Sequence, residues 1–491
     1  MVHLSEIRKT LDKSGLLQSF KKGSDFDENK LITSSEFLAQ AAQPDQIVFL
    51  NIRDVQSLSY VQLAFARRVL CVVLPKEYEN RIEIPKNSSI IFVSNVTLAK
   101  SLVCFKHFVV FPKHIIGVTG SSGKTGTSYF AHKLAENIGL QSAHIGTMGV
   151  QSKSVTFPRE LTTPDPTNLV RYINALNKKG LEILSLEVSG QAIQQNRFHS
   201  LPFSSVGLTY IGDAHRTQLG SMEDIRKLKF SFLQMQSVPC SLPDFLLEDS
   251  KNFIPDKQCV TYGFSESSDL RILAYDMRTR RLSLSFQSKI FNINVQIYGK
   301  TQLYNALGGL INVAVSLGDM QKYIPLLIPH LENLRCIPGR MERIGEKDGV
   351  HAFVDYAHHP DALQEALQSL KSFIDENASL HLVIGGSGGN EDTYYFEESS
   401  RIARDYADKV YITDDNPRDK NPQELANAML QHCDGVYIPN RREALFTAMD
   451  NAKRGDLVVA VGKGDESTIQ IGKTLHAHSD RDVLFYYTRK L

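Results

Sequence analysis

Gly117-Val118-Thr119-Gly120-Ser121-Ser122-Gly123-Lys124-Thr125 lies between an apolar run and a helical pattern, and the fold is read outward from it. The run is Phe108-Val109-Val110-Phe111 followed by Ile115-Ile116. The helix signal is Tyr129, Phe130, Leu134 and Ile138, closed by Gly139. A strand, a glycine loop and a helix start in that order wrap successive backbone N–H groups around an anion. Lys124 then reaches the outer phosphates, and the Thr125 hydroxyl is placed to ligate Mg²⁺. Glycine serves because the backbone must approach the phosphate in conformations that a Cβ penalises. The general loop pattern wants glycine at 118, where this chain has valine. Nucleotide binding is still expected, because lysine and threonine follow Gly123 at once.

From about residue 113 onward, short apolar runs alternate with helical patterns. Leu181–Val188, Ala352–Val354, Leu380–Ile384, Val410–Thr413 and Leu457–Val461 read as buried strands, and Asp361–Phe373 and Pro422–Leu430 as helices. Alternation at this spacing predicts an α/β fold with parallel sheets and crossover helices. Polar or glycine motifs follow most of these runs: Glu187-Val188-Ser189, Asp355-Tyr356-Ala357-His358, Gly385 to Gly389, Asp414 to Arg418, and Gly462-Lys463-Gly464. Ligand sites of open α/β sheets lie at the carboxyl ends of the strands, so five such loops predict one site. Residues 265–300 read as an antiparallel excursion, through Leu282-Ser283-Leu284-Ser285-Phe286. Boundaries are expected near Pro112 and near Cys336-Ile337-Pro338, giving domains of residues 1–112, 113–335 and 336–491.

Composition narrows the class. Of 491 residues, 42% are hydrophobic and 22% charged, and the formal net charge is +1. No nucleic-acid or membrane footprint follows from that balance. Six cysteines lie far apart without a C-x-x-C pair, which suits reduced thiols and argues against a thiolate zinc site. Met1 to Phe20 lacks the apolar core of a signal peptide. A cytoplasmic, soluble protein is the expectation.

The ordered motifs resemble the Mur ligase family, ATP-dependent amide-bond ligases of cell-wall precursor synthesis, and within it the branch that adds the third peptide residue. The resemblance runs from about 114 to 491. It rests on the glycine loop, Thr162-Thr163-Pro164, Glu187-x-Ser189 with Gln195 and Arg197, Tyr304-Asn305, and Pro338-Gly339-Arg340-Met341-Glu342. It continues in Val354-Asp355-Tyr356-Ala357-His358, Asp415-Asn416-Pro417-Arg418 and Gly462-Lys463-Gly464-x-Glu466. It implies three domains: a divergent N-terminal one for the UDP-substrate, a central phosphate-loop one, and a C-terminal Rossmann-like one for the amino acid. ATP would lie on Gly120, Ser121, Ser122, Gly123, Lys124, Thr125 and Gly126, with Asn305, Arg340 and Asp355 completing its site. Mg²⁺ would be held by Thr125, Glu187 and His215, and Lys124, Lys229, His215 and Glu187 would carry the chemistry. Lys229 matches the lysine that the family carbamylates with CO₂, with Lys227 as a decoy. Thr162, Thr163, Ser189, Gln195 and Arg197 would hold the UDP-MurNAc-dipeptide. Asp415, Asn416, Arg418, Gly462 and Glu466 would hold meso-diaminopimelate, Arg418 gripping its second carboxylate. His358 or His359 either lies near the nucleotide or caps the following helix.

The chain also departs from the family pattern. Ala214 precedes His215 where an aspartate is usual, with Asp213 one residue early. Ser189-Gly190-Gln191-Ala192 replaces Ser-Ser-His-Gly, Asp465 replaces a histidine, and Gly389-Asn390-Glu391-Asp392 leads into no basic segment. Two alternatives therefore stand beside a tripeptide synthetase. One is a sister ligase of the folylpolyglutamate-synthase type. The other is a degenerate member that binds nucleotide or precursor without turnover.

Overall fold

In the computed structural model of the chain, residues 1–52, 54, 56–212, 220–388 and 393–489 are described. Three large sheets organise them. The central one runs, in spatial order, Gly149–Ser152, Ser142–Gly146, Ile183–Glu187, His114–Thr119, Ser205–Leu208, Cys240–Pro243, Cys259–Gly263, Leu270–Asp276, Arg281–Phe286 and Lys289–Asn294. From Ser142–Gly146 to Leu270–Asp276 neighbouring strands are parallel. The expected antiparallel excursion is present as the last three strands, which extend the same sheet.

Parallel strands are covered on both faces, which is why they are written as near-continuous apolar runs. Ile116 and Val118 pack with Phe130, Leu134, Leu307 and Ile311 on one face. Ile115, Leu184, Leu186 and Val206 pack with Phe230, Phe232 and Leu233 on the other. The helices Lys124–Asn137 and Lys300–Ser316 approach closely at Gly309, where a Cβ would stand 2.8 Å from the Ala131 nitrogen.

The C-terminal sheet runs Glu342–Lys347, Val350–Val354, Leu457–Ala460, Leu380–Ile384, Lys409–Ile412 and Val436–Tyr437, parallel after its first hairpin. The N-terminal sheet, Leu17–Lys22, Ser89–Val93, Cys71–Pro75, Gln46–Phe49 and Ser34–Glu36, is also mostly parallel. It meets the central part through Cys104 and Phe105, which share a core with Ile115, Leu169 and Ile173. No helix among the described residues is long and apolar enough to cross a membrane.

Two expectations change. Phe108–Phe111 is not strand; the strand begins at His114, and Phe108, Val109 and Phe111 instead pack against the core from a connecting segment. The cysteines are not all thiols. Cys240 and Cys259 are register partners on adjacent parallel strands, with Cα atoms 4.7 Å apart, and form a disulfide. That separation suits the bond. Cys71, Cys104, Cys336 and Cys433 are free.

Candidate active site

The register of Ile183–Glu187 on His114–Thr119, with Glu187 opposite Val118, sets Glu187 beside the glycine loop. The loop turns at Gly120 and Gly123, the latter at φ +81° and N-capping the helix that begins at Lys124. A second constraint on these glycines comes from Asn305. A Cβ on Gly123 would lie 2.7 Å from its Oδ1, and one on Gly126 would lie 2.4 Å from its Nδ2. Asn305 Oδ1 also accepts from Thr127 Oγ1 at 3.3 Å. The loop is braced further by Ser121, whose N–H donates to Tyr210 O at 2.7 Å and whose hydroxyl donates to Gly212 O at 3.0 Å. Lys124 folds over its own loop, donating to Gly120 O at 2.9 Å and Ser121 O at 3.0 Å. Burial lowers its pKa, and the Glu187 carboxylate works against that shift.

Glu187 is fully buried. Its Oε2 accepts from Thr125 Oγ1 at 3.0 Å and Thr147 Oγ1 at 3.1 Å, and its Oε1 from Thr147 N–H at 2.8 Å. Burial pushes its carboxyl up, with Lys124 pulling the other way. Thr125 and Glu187 thus present hard oxygen donors at the mouth of the phosphate loop, a donor set that fits Mg²⁺ shared with phosphates. Sequence reasoning missed Thr147. It also missed His144, whose Nε2 lies 3.6 Å from Glu187 Oε1 and whose imidazole burial drives down to about 3.

Lys229 lies on the helix Met222–Gln234 and is only 2% exposed, its Nζ 3.3 Å from Thr119 Oγ1. Burial, reinforced by the charge of Lys124, takes its amine well below the usual lysine range. Lys227 instead points outward and pairs with Glu223 at 3.4 Å. His215, with Asp213 and Ala214, lies outside the described residues, as do Gly389 to Asp392.

The residues expected around the muramoyl peptide form one network beside Glu187. Thr163 Oγ1 donates to Glu187 O at 2.8 Å and accepts from Ser189 N–H at 2.9 Å. Arg197 donates to Thr163 O at 2.8 Å and Gln195 Oε1 at 2.9 Å, while Thr147 Oγ1 reaches Thr162 Oγ1 at 3.4 Å. Ser189 also caps the short helix Gly190–Gln194 by accepting from Ala192 N–H.

A cavity of about 310 Å³ joins the loop, Glu187 and Asn305 to Arg340 and Asp355 of the C-terminal part. The Arg340 guanidinium lies 3.8 Å over the Tyr356 ring. Asp355 accepts from Met341 N–H at 2.5 Å and Ala357 N–H at 2.8 Å, and burial pushes its carboxyl up. His359 is at the N-cap of the helix Pro360–Lys371 without a side-chain cap bond, and His358 Nδ1 pairs with Tyr356 O at 2.9 Å.

The same helix brings Glu365 to the cavity wall, where burial, with Asp355 and Asp361 nearby, pushes its carboxyl up to about 7. The folded chain therefore holds a proton that the unfolded chain, with its carboxyl near 4.5, has already released. This contribution to stability is complete below pH 4.5 and is lost as pH rises through about 7. Denaturant unfolding should show stability falling across that window by at most about 3 kcal/mol, and Glu365→Gln should flatten the decline. An equal slope in the variant would sink this account.

Beyond the cavity, Lys463 is fully buried and ties the amino-acid motifs together. Its Nζ donates to Asp415 Oδ1 at 3.2 Å, Asn416 Oδ1 at 3.3 Å and Glu466 Oε2 at 3.0 Å. Asn416 Nδ2 donates to the same Glu466 oxygen at 3.0 Å. Gly462 is needed at φ +99°, where a Cβ would stand 2.7 Å from Asp415 Oδ2. Arg418 is exposed, at φ +52°, with one N–H on Gly388 O at 3.0 Å. Sequence reasoning gave Lys463 no role; its one signal was a lysine between two glycines after a buried strand.

The phosphate loop of one parallel sheet and the loops of a second thus line one cavity, the architecture of a phosphate-loop protein. Residues 118–313 match the Mur ligase middle domain, and residues 339–464 match the glutamate ligase domain of Mur ligases. A UDP-N-acetylmuramoyl-L-alanyl-D-glutamate–2,6-diaminopimelate ligase of Chelativorans sp. (strain BNC1) is 30% identical, over 76% of this chain and 77% of its own length. The protein of the same name from Bradyrhizobium diazoefficiens is 29% identical, over 80% and 82%. A solved structure of a protein of that name superposes with a TM-score of 0.68 at 23% identity, covering 98% of each chain. MurF ligase from Thermotoga maritima, solved with ADP, gives 0.62 at 19% identity, over 88% of this chain and 94% of its own. The chain belongs to the Mur ligase family.

Proposed function

We propose that this chain is an ATP-dependent ligase that joins meso-2,6-diaminopimelate to UDP-N-acetylmuramoyl-L-alanyl-D-glutamate, releasing ADP and phosphate. The observation that carries the reading is the continuity of the phosphate loop and Glu187 with Arg340 and Asp355 around one cavity. The substrate's glutamyl carboxylate attacks the terminal phosphorus of ATP, giving an acyl phosphate and ADP. The amine of diaminopimelate then adds to the acyl carbon, phosphate departs with the bonding pair, and the amine loses a proton. Mg²⁺, when bound by Thr125, Glu187 and His215, screens the charges that this transfer gathers.

Lys124 stabilises the transferring phosphoryl group. Gly120, Ser121, Ser122, Gly123 and Gly126 supply the loop around the phosphates. Asn305, Arg340 and Asp355 complete the nucleotide site. Thr162, Thr163, Ser189, Gln195 and Arg197 orient the muramoyl peptide. Asp415, Asn416, Gly462 and Glu466 receive the amino end of diaminopimelate. The same reading divides the chain into residues 1–112, 113–335 and 336–491, and makes it a cytoplasmic monomer acting on small molecules.

Arg418 is the specificity residue, its planar fork matched to the second carboxylate of diaminopimelate. A hydrogen bond to a charged group contributes about 1.5–3 kcal/mol, roughly a ten- to hundredfold effect. Phosphate release assayed with diaminopimelate and with L-lysine should therefore show Arg418→Ala raising the diaminopimelate KM by roughly that factor. The lysine reaction should not respond to the substitution. A preference of the unaltered chain for lysine would reject the assignment.

A further inference from the structure

Arg340 lines the nucleotide cavity with one arm of its fork, Nη1, already engaged. It donates to Asp465 Oδ1 at 2.9 Å, with the side chains 14% and 34% exposed, and the same nitrogen donates to Gly339 O at 3.1 Å. Asp465 comes from the loop after the strand Leu457–Ala460, 125 positions away in sequence. The two loops meet backbone to backbone, each at a left-handed glycine. A Cβ on Gly339, at φ +66°, would lie 2.1 Å from Asp465 N. One on Gly464, at φ +54°, would lie 2.7 Å from Arg340 Nη1 and 2.8 Å from Gly339 O. No other residue type fits either position without separating the loops.

The next residue, Glu466, faces the other way. Its carboxylate is held 3.0 Å from Lys463 Nζ and 3.0 Å from Asn416 Nδ2, in the amino-acid cluster. Adjacent carboxylates on one short loop thus touch the nucleotide side and the amino-acid side. Two other carboxylates near this contact are already occupied: Glu342 receives Gly339 N–H at 2.6 Å and both arms of Arg481 at 2.6 and 2.9 Å, and Asp355 receives the N–H groups of Met341 and Ala357.

We propose that Asp465 is an internal anion that occupies Arg340 until a nucleotide phosphate displaces it, and that its release couples the nucleotide site to the amino-acid site through Glu466. The inference rests on the site reading given under Proposed function. Asp465 meets the guanidinium through one oxygen on one nitrogen, whereas a phosphate can offer two oxygens to the fork, the bidentate arrangement that adds energy as well as geometry, so nucleotide draws Arg340 off Asp465. The freed loop then carries Glu466 toward an incoming ammonium. Linkage makes the effect reciprocal: the amino acid tightens nucleotide by the same factor that nucleotide tightens the amino acid. Asp465 is a positioning residue in this scheme and touches neither substrate.

The test is titration calorimetry of a non-hydrolysable ATP analogue with Mg²⁺ on the full chain, with and without meso-diaminopimelate. The unaltered chain should bind the analogue several-fold more tightly when diaminopimelate is present. Asp465→Asn, which keeps the shape and removes the charge, should bind it roughly five- to tenfold more tightly without diaminopimelate and lose the response to it. Asp465→Glu should restore the response, which a merely structural role would not predict. Equal affinities for the unaltered chain and Asp465→Asn, each folded by its thermal transition, would overturn the coupling while leaving the nucleotide site intact. Failure of the unaltered chain to bind the analogue at all would overturn the site reading and the coupling with it.

Discussion

Lys124→Ala should lower phosphate release by about a thousandfold, or about 4 kcal/mol of transition-state stabilisation, with the fold intact. The Nζ is held over the loop by two carbonyls, Gly120 O and Ser121 O. Ser121 and Lys124 line the cavity, so cutting the side chain back opens space on the cavity wall and the thermal transition should move little. The chemistry has no such tolerance. Charge spreads over the phosphoryl oxygens as it transfers, and the Lys124 ammonium sits on the loop that would cradle them. Lys124→Arg should not rescue, because a planar fork cannot replace a compact point charge in a loop closed down by Asn305 against Gly123 and Gly126. Single-turnover phosphate release at saturating MgATP is the measurement. A loss below about tenfold would mean that the loop binds something other than the reacting phosphates.

The parts of this site that the sequence makes legible share one property: they are local. Leu380–Ile384 occurs with the bounds its run predicts, because a parallel strand buried on both faces is mainly apolar, and its one polar residue, His381, is paired with Asp456 at 3.3 Å. The helix Pro422–Leu430 is announced by Asn421, whose side chain accepts from Gln423 N–H, and by proline in its first turn. The glycine loop is legible for the same reason, since its geometry is set by nine consecutive residues.

What the sequence does not show is set by register and by distance along the chain. Cys240 and Cys259 become bonding partners only because two parallel strands align them. Lys463 looks like an exposed turn lysine until its carboxylate partners arrive, the farther one 48 residues away. His144 reads as a residue of an apolar strand, and its position against Glu187 follows from the pairing of Ser185 with His144. In the N-terminal part, Cys71–Pro75 and Ser89–Val93 are as apolar as any strand in the chain, yet no motif follows them. Architecture is therefore legible there and chemistry is not.

Lys229→Ala should be as damaging as the loss of Lys124, and for a reason that can be seen spectroscopically. An ammonium cannot ligate Mg²⁺, and at 2% exposure it is also costly to keep charged. Burial and the neighbouring charge of Lys124 both favour the neutral amine, which is the form that attacks CO₂. Addition would form an N–C bond and release one proton, leaving a carbamate anion with Thr119 Oγ1 in reach of the present amine. The sign follows from the lowered pKa: at any given pH more of this amine is in the neutral, CO₂-reactive form than in an ordinary lysine. Activity should therefore fall in CO₂-depleted buffer and recover on adding bicarbonate. Carbon-13 NMR of the chain equilibrated with labelled bicarbonate should show a carbamate resonance that Lys229→Ala abolishes. Lys227→Ala should keep both the resonance and the activity, because Lys227 is solvated and paired with Glu223 on the outer face of the helix. If the resonance follows Lys227 instead, the assignment on this helix is off by two residues. If it is absent from the unaltered chain while ligation proceeds, the buried amine serves as a neutral hydrogen-bond donor, and the charge beside the phosphates must come from elsewhere.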